Sequence, residues 1–357
     1  MTQNTASATL RDETWNEFVA STPGGHRAQT TQWGDLKSAF GWEVERLTVE
    51  SSGRVVAAAQ LLTRSVAPMA AVGYVQKGPL LATSDPGVRA EILQKVEAAA
   101  RVRKVRYLAI QPPDTDRAAT PAMTGGGWDL LDARIWPTAT TSVDLRSDTE
   151  TLFEAMKSKT RYNIRKAAKN EVVVRKGGRE DLPVFHRFAS NTSERQDFGL
   201  PSLEYFETAW ELFSDDHHEI ALFVAEHEGK PVSSILTLGY RKTLTYWRGG
   251  WSGESGSAHP NEAIHWHVMQ WAKDKGYESY DFDGVERRLA EAVANDKERP
   301  ADLPRTVSDF KLGFGGNVHV FPEPVFRIPN PVLRYSYPLI ARVLETPAFG
   351  GRFQLTV

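Results

Sequence analysis

Residues 42–64 read "WEVERLTVESSGRVVAAAQLLTR" and residues 219–241 read "EIALFVAEHEGKPVSSILTLGYR". Each is an apolar run, a turn at Gly53-Arg54 or Gly229-Lys230, and a second apolar run, the pattern of a β-hairpin. A third strand-like run follows each: "AVGYVQKGPLL" (71–81) and "LTYWRGG" (244–250). Next come a helix-period segment and a short strand. These are "GVRAEILQKVEAAARV" (87–102) with "RYLAIQPPD" (106–114), and "NEAIHWHVMQWAKDKG" (261–276) with "ESYDFDGV" (278–285). The helical reading rests on apolar residues three and four apart, as at Ile264, Val268 and Trp271. Hairpin, strand, helix, strand, twice in one order, predicts a duplicated α/β domain. Each sheet should be mixed, with an antiparallel start and a helical crossover. Chance likeness of two ordinary hairpins is the competing reading, and the shared order of elements favours duplication.

The totals agree with two domains. The 357 residues exceed what one core usually holds. With 41% hydrophobic and 25% charged residues the composition is that of a globular chain. Lys and Arg number 43 and Asp and Glu 45, so there is no global basic field, and any nucleic acid must meet a local patch. The absence of cysteine excludes disulfides, thiolate nucleophiles and thiolate metal sites. The polar opening "MTQNTASATLRDETW" carries no apolar signal region, and no stretch approaches the roughly 20 apolar residues of a membrane helix. A cytoplasmic protein is expected.

The first domain is expected to span 1–145 and the second 146–357. "DARIWPTATTSVDL" (132–145) reads as a returning strand, and "SDTETLFEAMKSKTRYNIRKAAKN" (147–170) as a helix capped by Ser147 or Asp148. The Pro-rich tail, "PEPVFRIPNPVLRYSYPLIARVLETPAF", should end in a short apolar helix packed on the second domain.

Several places can carry chemistry. Lys157, Lys159, Arg161, Arg165, Lys166 and Lys169 crowd into one helical stretch, with Arg161, Arg165 and Lys169 on one face. Like charges four apart repel, so the face either meets a polyanion or is simply solvated. In "RAQTTQWGDLKSAFGW" (27–42), Trp33, Lys37 and Phe40 share a helical side. Lys37 either snorkels at a core edge or reaches an anion. "SYDFDGVE" (279–286) is a strand ending in Asp281 and Asp283, where acids often face a crevice; a structural Asp is the equal alternative. "SDFKLGFGG" (308–316) sets Phe310 and Lys311 beside three glycines. It is either a surface turn or a cation at a reacting centre. His265 and His267 are two apart, and His217-His218 lies in an acidic loop, so zinc spacing is missing. Neither a G-x-S-x-G elbow nor a phosphate-binding G-x-x-x-x-G-K-[ST] loop occurs.

Taken in order, "QWGDLK", "YVQKGP", "RYNIRKAAK", "ERQDFGLPSLEYF", "FVAEHEGKPVSS", "YDFDGVE" and "DFKLGFGG" make the chain resemble the FemABX family from about residue 12 to 320. These are non-ribosomal peptidyltransferases that use aminoacyl-tRNA to add amino acids to peptidoglycan precursors. The resemblance implies an α/β (α+β) fold of two tandem acetyltransferase-like (GNAT-type) domains, a cleft for the muropeptide precursor and a channel for the tRNA acceptor end. It also implies the short type, because residues 171–250 leave no room for the long antiparallel helical arm of larger members. Two departures concern the acceptor. Ile110 and Gln111 stand where similar short members carry a charged pair, and Arg248 where they carry a second tyrosine.

On this resemblance Lys311 stabilises the charge that develops when an amine attacks the ester, and Phe310 stacks on the terminal adenine, worth roughly 1–3 kcal/mol. The glycines allow close approach to the nucleotide, and Asp283 is the only guess at a general base. Lys37 and Arg195 match positions that contact the precursor's phosphates or carboxylates. Trp33, Tyr74, Lys77, Tyr205, Tyr246 and Arg248 are assigned to substrate binding, and Arg161, Arg165 and Lys169 to tRNA. No cofactor or metal is expected. The partners are aminoacyl-tRNA and a UDP-linked or lipid-linked muropeptide, or another small amine, with membrane proximity but no transmembrane segment. Three alternatives stay open: a secondary-metabolite amine as acceptor, an acetyl-CoA-type N-acyltransferase, and a non-catalytic RNA-binding module. Against acetyl-CoA, "SGSAHPNEA" (255–263) stands where a pyrophosphate-binding turn would be needed.

Overall fold

The computed structural model describes residues 12–131, 137–196, 199–214 and 218–328. Among these the chain forms two compact units, one of residues 12–131 with 321–328, the other within residues 137–320. In the first unit α1 (Asp12–Ser21) and α2 (Thr31–Ala39) lead into β1 (Glu43–Ser51), β2 (Arg54–Ala67), β3 (Ala70–Val75) and β4 (Leu80–Leu81). Then come α3 (Pro86–Val102), β5 (Val105–Ile110), α4 (Ala119–Gly125) and β6 (Asp129–Leu130). The second unit holds β7 (Ala139–Asp144), α5 (Thr149–Glu154), α6 (Ser158–Lys169), β8 (Val173–Gly177), α7 (Leu182–Gln196) and α8 (Leu203–Leu212). It continues through β9 (His218–His227), β10 (Lys230–Tyr240), β11 (Thr243–Trp251), α9 (Pro260–Asp274), β12 (Ser279–Asp281), α10 (Arg287–Ala294), α11 (Val307–Lys311) and β13 (Asn317–Val320). Finally β14 (Val325–Arg327) rejoins the first sheet.

Both expected hairpins form. At each turn two successive residues are left-handed: Ser52 and Gly53 at φ 51° and 73°, Glu228 and Gly229 at 53° and 71°. That is the geometry of a two-residue turn matched to strand twist, and glycine takes its second place. The third strand of each set then runs parallel to the strand after the crossover helix, β3 to β5 and β11 to β12. Of the expected α9 face Ile264 and Val268 are buried and Trp271 is half-buried against the same core, while α3 buries Ile92, Val96 and Ala99. The fold is mixed α+β, with two mixed sheets of acetyltransferase type. Among the described residues between 171 and 250 no helix exceeds the 15 residues of α7. Among the described residues no helix is long and apolar enough to cross a membrane.

Three expectations need correction. The returning strand, observed at 139–144, pairs with β12 and β13 in the second sheet, so the division falls after Trp136 and not at 145. The tail does not stay with the second domain: β14 pairs with β5 and β6 of the first sheet. The helix expected further along the tail lies outside the described residues. Finally, 147–170 is two helices. Asp148 caps the first, accepting from Thr151 N at 2.9 Å. The chain breaks at 155–157, where the Arg161 guanidinium binds the carbonyls of Glu154 (2.8 Å) and Met156, and Lys157 N donates to Gly313 O at 2.9 Å.

Candidate functional site

In the second unit the parallel pairing of β11 with β12 ends at Thr245–Asp281, while β11 runs on to Trp251. A bulge opposite Leu236 and Thr237 leaves Trp247 as the extra residue, so Tyr246 and Arg248 sit where the two parallel strands part. A gap at the carboxyl ends of parallel strands is the ordinary place for a ligand in an α/β sheet.

The chain leaving β12 turns sharply there. Asp281 Oδ1 accepts from Thr140 Oγ1 and from Asp283 N, both at 2.7 Å, and Gly284 N donates to Thr140 Oγ1 at 3.2 Å. Asp283 and Gly284 are both left-handed, at φ 49° and 107°. Lys311, on α11, donates from Nζ to Gly284 O at 2.7 Å and lies 3.4 Å from Asp283 O. Its helix is fixed by a capping box between Thr306 and Asp309, and Asp309 is paired with Arg299.

Lys311 is 8% exposed, with Nζ 5.6 Å from the Tyr246 ring centre. Burial pulls its ammonium down to about 8, lowered also by the charge of Arg248 and opposed by Asp283 and Asp281. Arg248 lies 3.9 Å from the Asp283 carboxylate and donates to its neighbour's carbonyl, Trp247 O, at 2.8 Å. Burial pushes the Tyr246 hydroxyl up to about 12. Two cations and a phenol hydroxyl therefore gather at the gap, an arrangement that can stabilise an oxyanion.

Beneath them lies His265, which the sequence reading set aside. It is buried, shares a 2.8 Å hydrogen bond with the Tyr280 hydroxyl through Nδ1, and packs its ring 4.7 Å from Tyr246 and 5.5 Å from Phe310. Burial, and then the charge of Lys311, hold its imidazole down to about 3. It is a neutral support for the cationic layer. An isolated His in a helix gives no spacing signal; only the fold brings it under Lys311.

Other expected residues take different positions. Phe310 is half-buried against the core cluster, packed on His265 and Phe314. The glycines after it serve the chain's own packing. A Cβ on Gly315, whose φ is +78°, would strike Ala155 O, and one on Gly316 would sit 2.7 Å from Ser142 O. Asp283 lies 3.9 Å from Arg248 through its carboxylate and 3.4 Å from Lys311 Nζ through its carbonyl. Tyr205 is 5% exposed, packed between Phe206 and Trp247, its hydroxyl pushed up by burial. Arg195 is exposed, lies over Trp251 and donates to Trp251 O at 2.9 Å, tying α7 to the end of β11.

In the first unit Lys37 is 1% exposed, with Nζ 5.0 Å from the ring centre of Trp33. Lys77 pairs with Asp114 and lies 3.8 Å from the ring centre of Phe321. Tyr74 is core, edge-on to Trp42. Ile110 and Gln111 are fully buried, and Gln111 binds Val75 O and Gly78 N through its backbone. Their side chains are sealed from solvent.

On α6, Arg161 is committed to the break before the helix. Arg165 is exposed over Phe153, and Lys169 is exposed.

Residues 10–123 match the FemAB family, and residues 155–324 match the family described as Acetyltransferase (GNAT) domain. The UDP-N-acetylmuramoylpentapeptide-lysine N(6)-alanyltransferase of Weissella viridescens is 25% identical over 289 residues, covering 77% of this chain and 84% of that protein. The lipid II:glycine glycyltransferase of Staphylococcus haemolyticus (strain JCSC1435) is 24% identical over 234 residues, 62% of this chain. The chain matches only 56% of that relative's length. The crystal structure of FemX superposes with a TM-score of 0.76 at 19% identity, covering 92% of this chain and 98% of that one. The two halves are thus similar in turn to the FemAB family and to the GNAT domain, and the chain shares the fold of FemX over nearly its whole length.

Proposed function

We propose that this chain transfers an amino acid from aminoacyl-tRNA to an amine of a peptidoglycan precursor. The observation that carries the reading is Lys311, a buried ammonium beside Arg248 and Tyr246 where β11 and β12 part. The relatives named for alanine and glycine transfer to muropeptides support the acceptor class.

In the reaction the acceptor nitrogen attacks the ester carbon of the aminoacyl-tRNA. A C–N bond forms and the carbonyl oxygen becomes an oxyanion, which Lys311 faces as an ammonium. Collapse breaks the ester C–O bond, the ribose oxygen leaves with the electron pair, and the proton released by the amine ends on that hydroxyl. The ester is already activated, so no covalent enzyme intermediate is needed; positioning and fixed charge do the work. Lys37, and more weakly the exposed Arg195, contribute cations toward an anionic group of the precursor. The protein works in the cytosol.

Against acetyl-CoA as donor, α9 opens on Pro260, behind a left-handed His259, where a pyrophosphate-binding turn would need free backbone N–H groups. Incubation with mixed aminoacyl-tRNAs and UDP-linked or lipid-linked muropeptide should add one aminoacyl mass to the acceptor. Product with acetyl-CoA and none with aminoacyl-tRNA would overturn the assignment.

A further inference from the structure

Helix α6 carries an aromatic that neither the fold nor the proposed chemistry uses. Tyr162 is 61% exposed, among the most exposed large hydrophobic residues described. The inward face of α6 is taken by Thr160, Asn163, Ile164 and Ala167, all buried, and Asn163 Nδ2 donates to Glu262 on α9 at 2.7 Å. The outward face repeats at three and four residues: Lys159, Tyr162, Lys166, Lys169, with Arg165 alongside. The helix also begins next to the reacting region. Lys157 N donates to Gly313 O, two residues beyond Lys311, and Tyr162 stands about 8 Å further along the axis at 1.5 Å per residue.

We infer that Tyr162 is a stacking platform for an unpaired base at the end of the donor RNA, framed by Lys159, Arg165, Lys166 and Lys169 on its phosphates. The inference rests on the aminoacyl-tRNA reading and moves the RNA-facing stripe away from Arg161, whose guanidinium is spent on the carbonyls of Glu154 and Met156. A cationic track with an exposed ring is the pattern that binds single-stranded nucleic acid, because every base offers a π-face. An anionic membrane fits less well. An interfacial helix needs a broad apolar face to insert, and the apolar side of α6 is already packed, with Ile164 in the core of its unit. One tyrosine among lysines remains outside.

The test uses an RNA hairpin with an unpaired four-nucleotide 3′ tail and the same hairpin made blunt, with binding read by fluorescence anisotropy. Tyr162→Ala should weaken the tailed hairpin by about 5- to 150-fold, the range for losing one base–aromatic stack. Tyr162→Phe should restore it, and neither substitution should change the blunt hairpin. Lys166→Ala with Lys169→Ala should weaken both hairpins and reduce the salt slope. Equal tailed-hairpin affinity in wild type and Tyr162→Ala overturns the inference, as does no RNA binding at all. Tyr162-dependent binding to phosphatidylglycerol vesicles in place of RNA would also overturn it. Product formation by the wild type separates this failure from the other. If wild type turns over aminoacyl-tRNA while Tyr162→Ala binds the tail normally, only the platform is lost. If wild type turns over no aminoacyl-tRNA, the donor reading itself falls.

Discussion

The two halves repeat one architecture and end it differently. In the second, β11 and β12 stop pairing at Thr245–Asp281, a bulge turns Tyr246 and Arg248 into the gap, and Lys311 closes on the turn after β12. In the first, β3 and β5 pair as far as Val75–Ile110, and the ladder continues as Gln111 N binds Val75 O and Gly78 N binds Gln111 O. The same place is open in one half and stitched shut in the other. A duplicated sheet thus differs between its copies through a few hydrogen bonds: one copy gathers Tyr246, Arg248 and Lys311 at its gap, and the other closes the same gap.

The sharpest test compares Lys311 with Lys77. Lys311→Met should lower kcat by about 10²–10³-fold, the scale of losing one oxyanion donor. Lys77→Met, in the sealed half, should change kcat by no more than about threefold, since its ammonium answers Asp114. Equal losses would erase the contrast between the halves.

The next effect is on pH dependence. The ammonium of Lys311 titrates near 8, so turnover should fall about tenfold per pH unit above that value as the charge is lost. Lys311→Arg, if it keeps activity, should lose this alkaline limb because a guanidinium stays charged. A limb that persists in Lys311→Arg would assign the titration elsewhere.

A smaller effect is expected in the first half. Lys37→Met keeps the stem against Trp33 and removes the charge, and the acceptor KM should rise by about 10-fold with the tRNA KM unchanged. Arg195→Ala should do less, being exposed and held by Trp251. A larger loss in Arg195→Ala would reverse their order.

A further effect is on stability. The imidazole of His265 has its folded value near 3 and its unfolded value near 6.5. Between them the unfolded chain binds the extra proton, so stability falls as the pH drops through this window. From pH 6.5 to 5 the loss is about 2 kcal/mol at 1.4 kcal/mol per unit. His265→Phe should lack that part of the acid dependence in denaturant melts at pH 7 and pH 5. An unchanged difference would mean that His265 is not the buried neutral group described.

What the sequence made legible were local patterns: the hairpins through Ser52-Gly53 and Glu228-Gly229, the amphipathic α3 and α9, and the cap at Asp148. What it hid depended on distant partners. No Gly or Pro marks the break at 155–157; it is made by Arg161 and Gly313. Strand β14 is three residues long, too short for a periodic signal. Lys311 is conspicuous in the sequence because a cation beside glycines is visible in one dimension, yet those glycines relieve contact with Ala155 and Ser142. His265 and Asp281 matter through neighbours more than 15 and 100 residues away, and no window reveals such pairs.

Strand β14 has one more consequence. It lies between β5 and β6, and among the described residues β6 pairs with no other strand. A ribosome making this chain from its N-terminus must therefore release residue 327 before the first sheet can be completed, whereas residues 137–320 are a contiguous stretch with all seven strands of their own sheet. The later half can thus mature before the earlier one, the reverse of the usual order. Until then β5 presents an unpaired edge, so a fragment cut at residue 136 leaves a sheet prone to self-association. A stable fragment of the first half must carry the segment through Arg327, joined back by a linker.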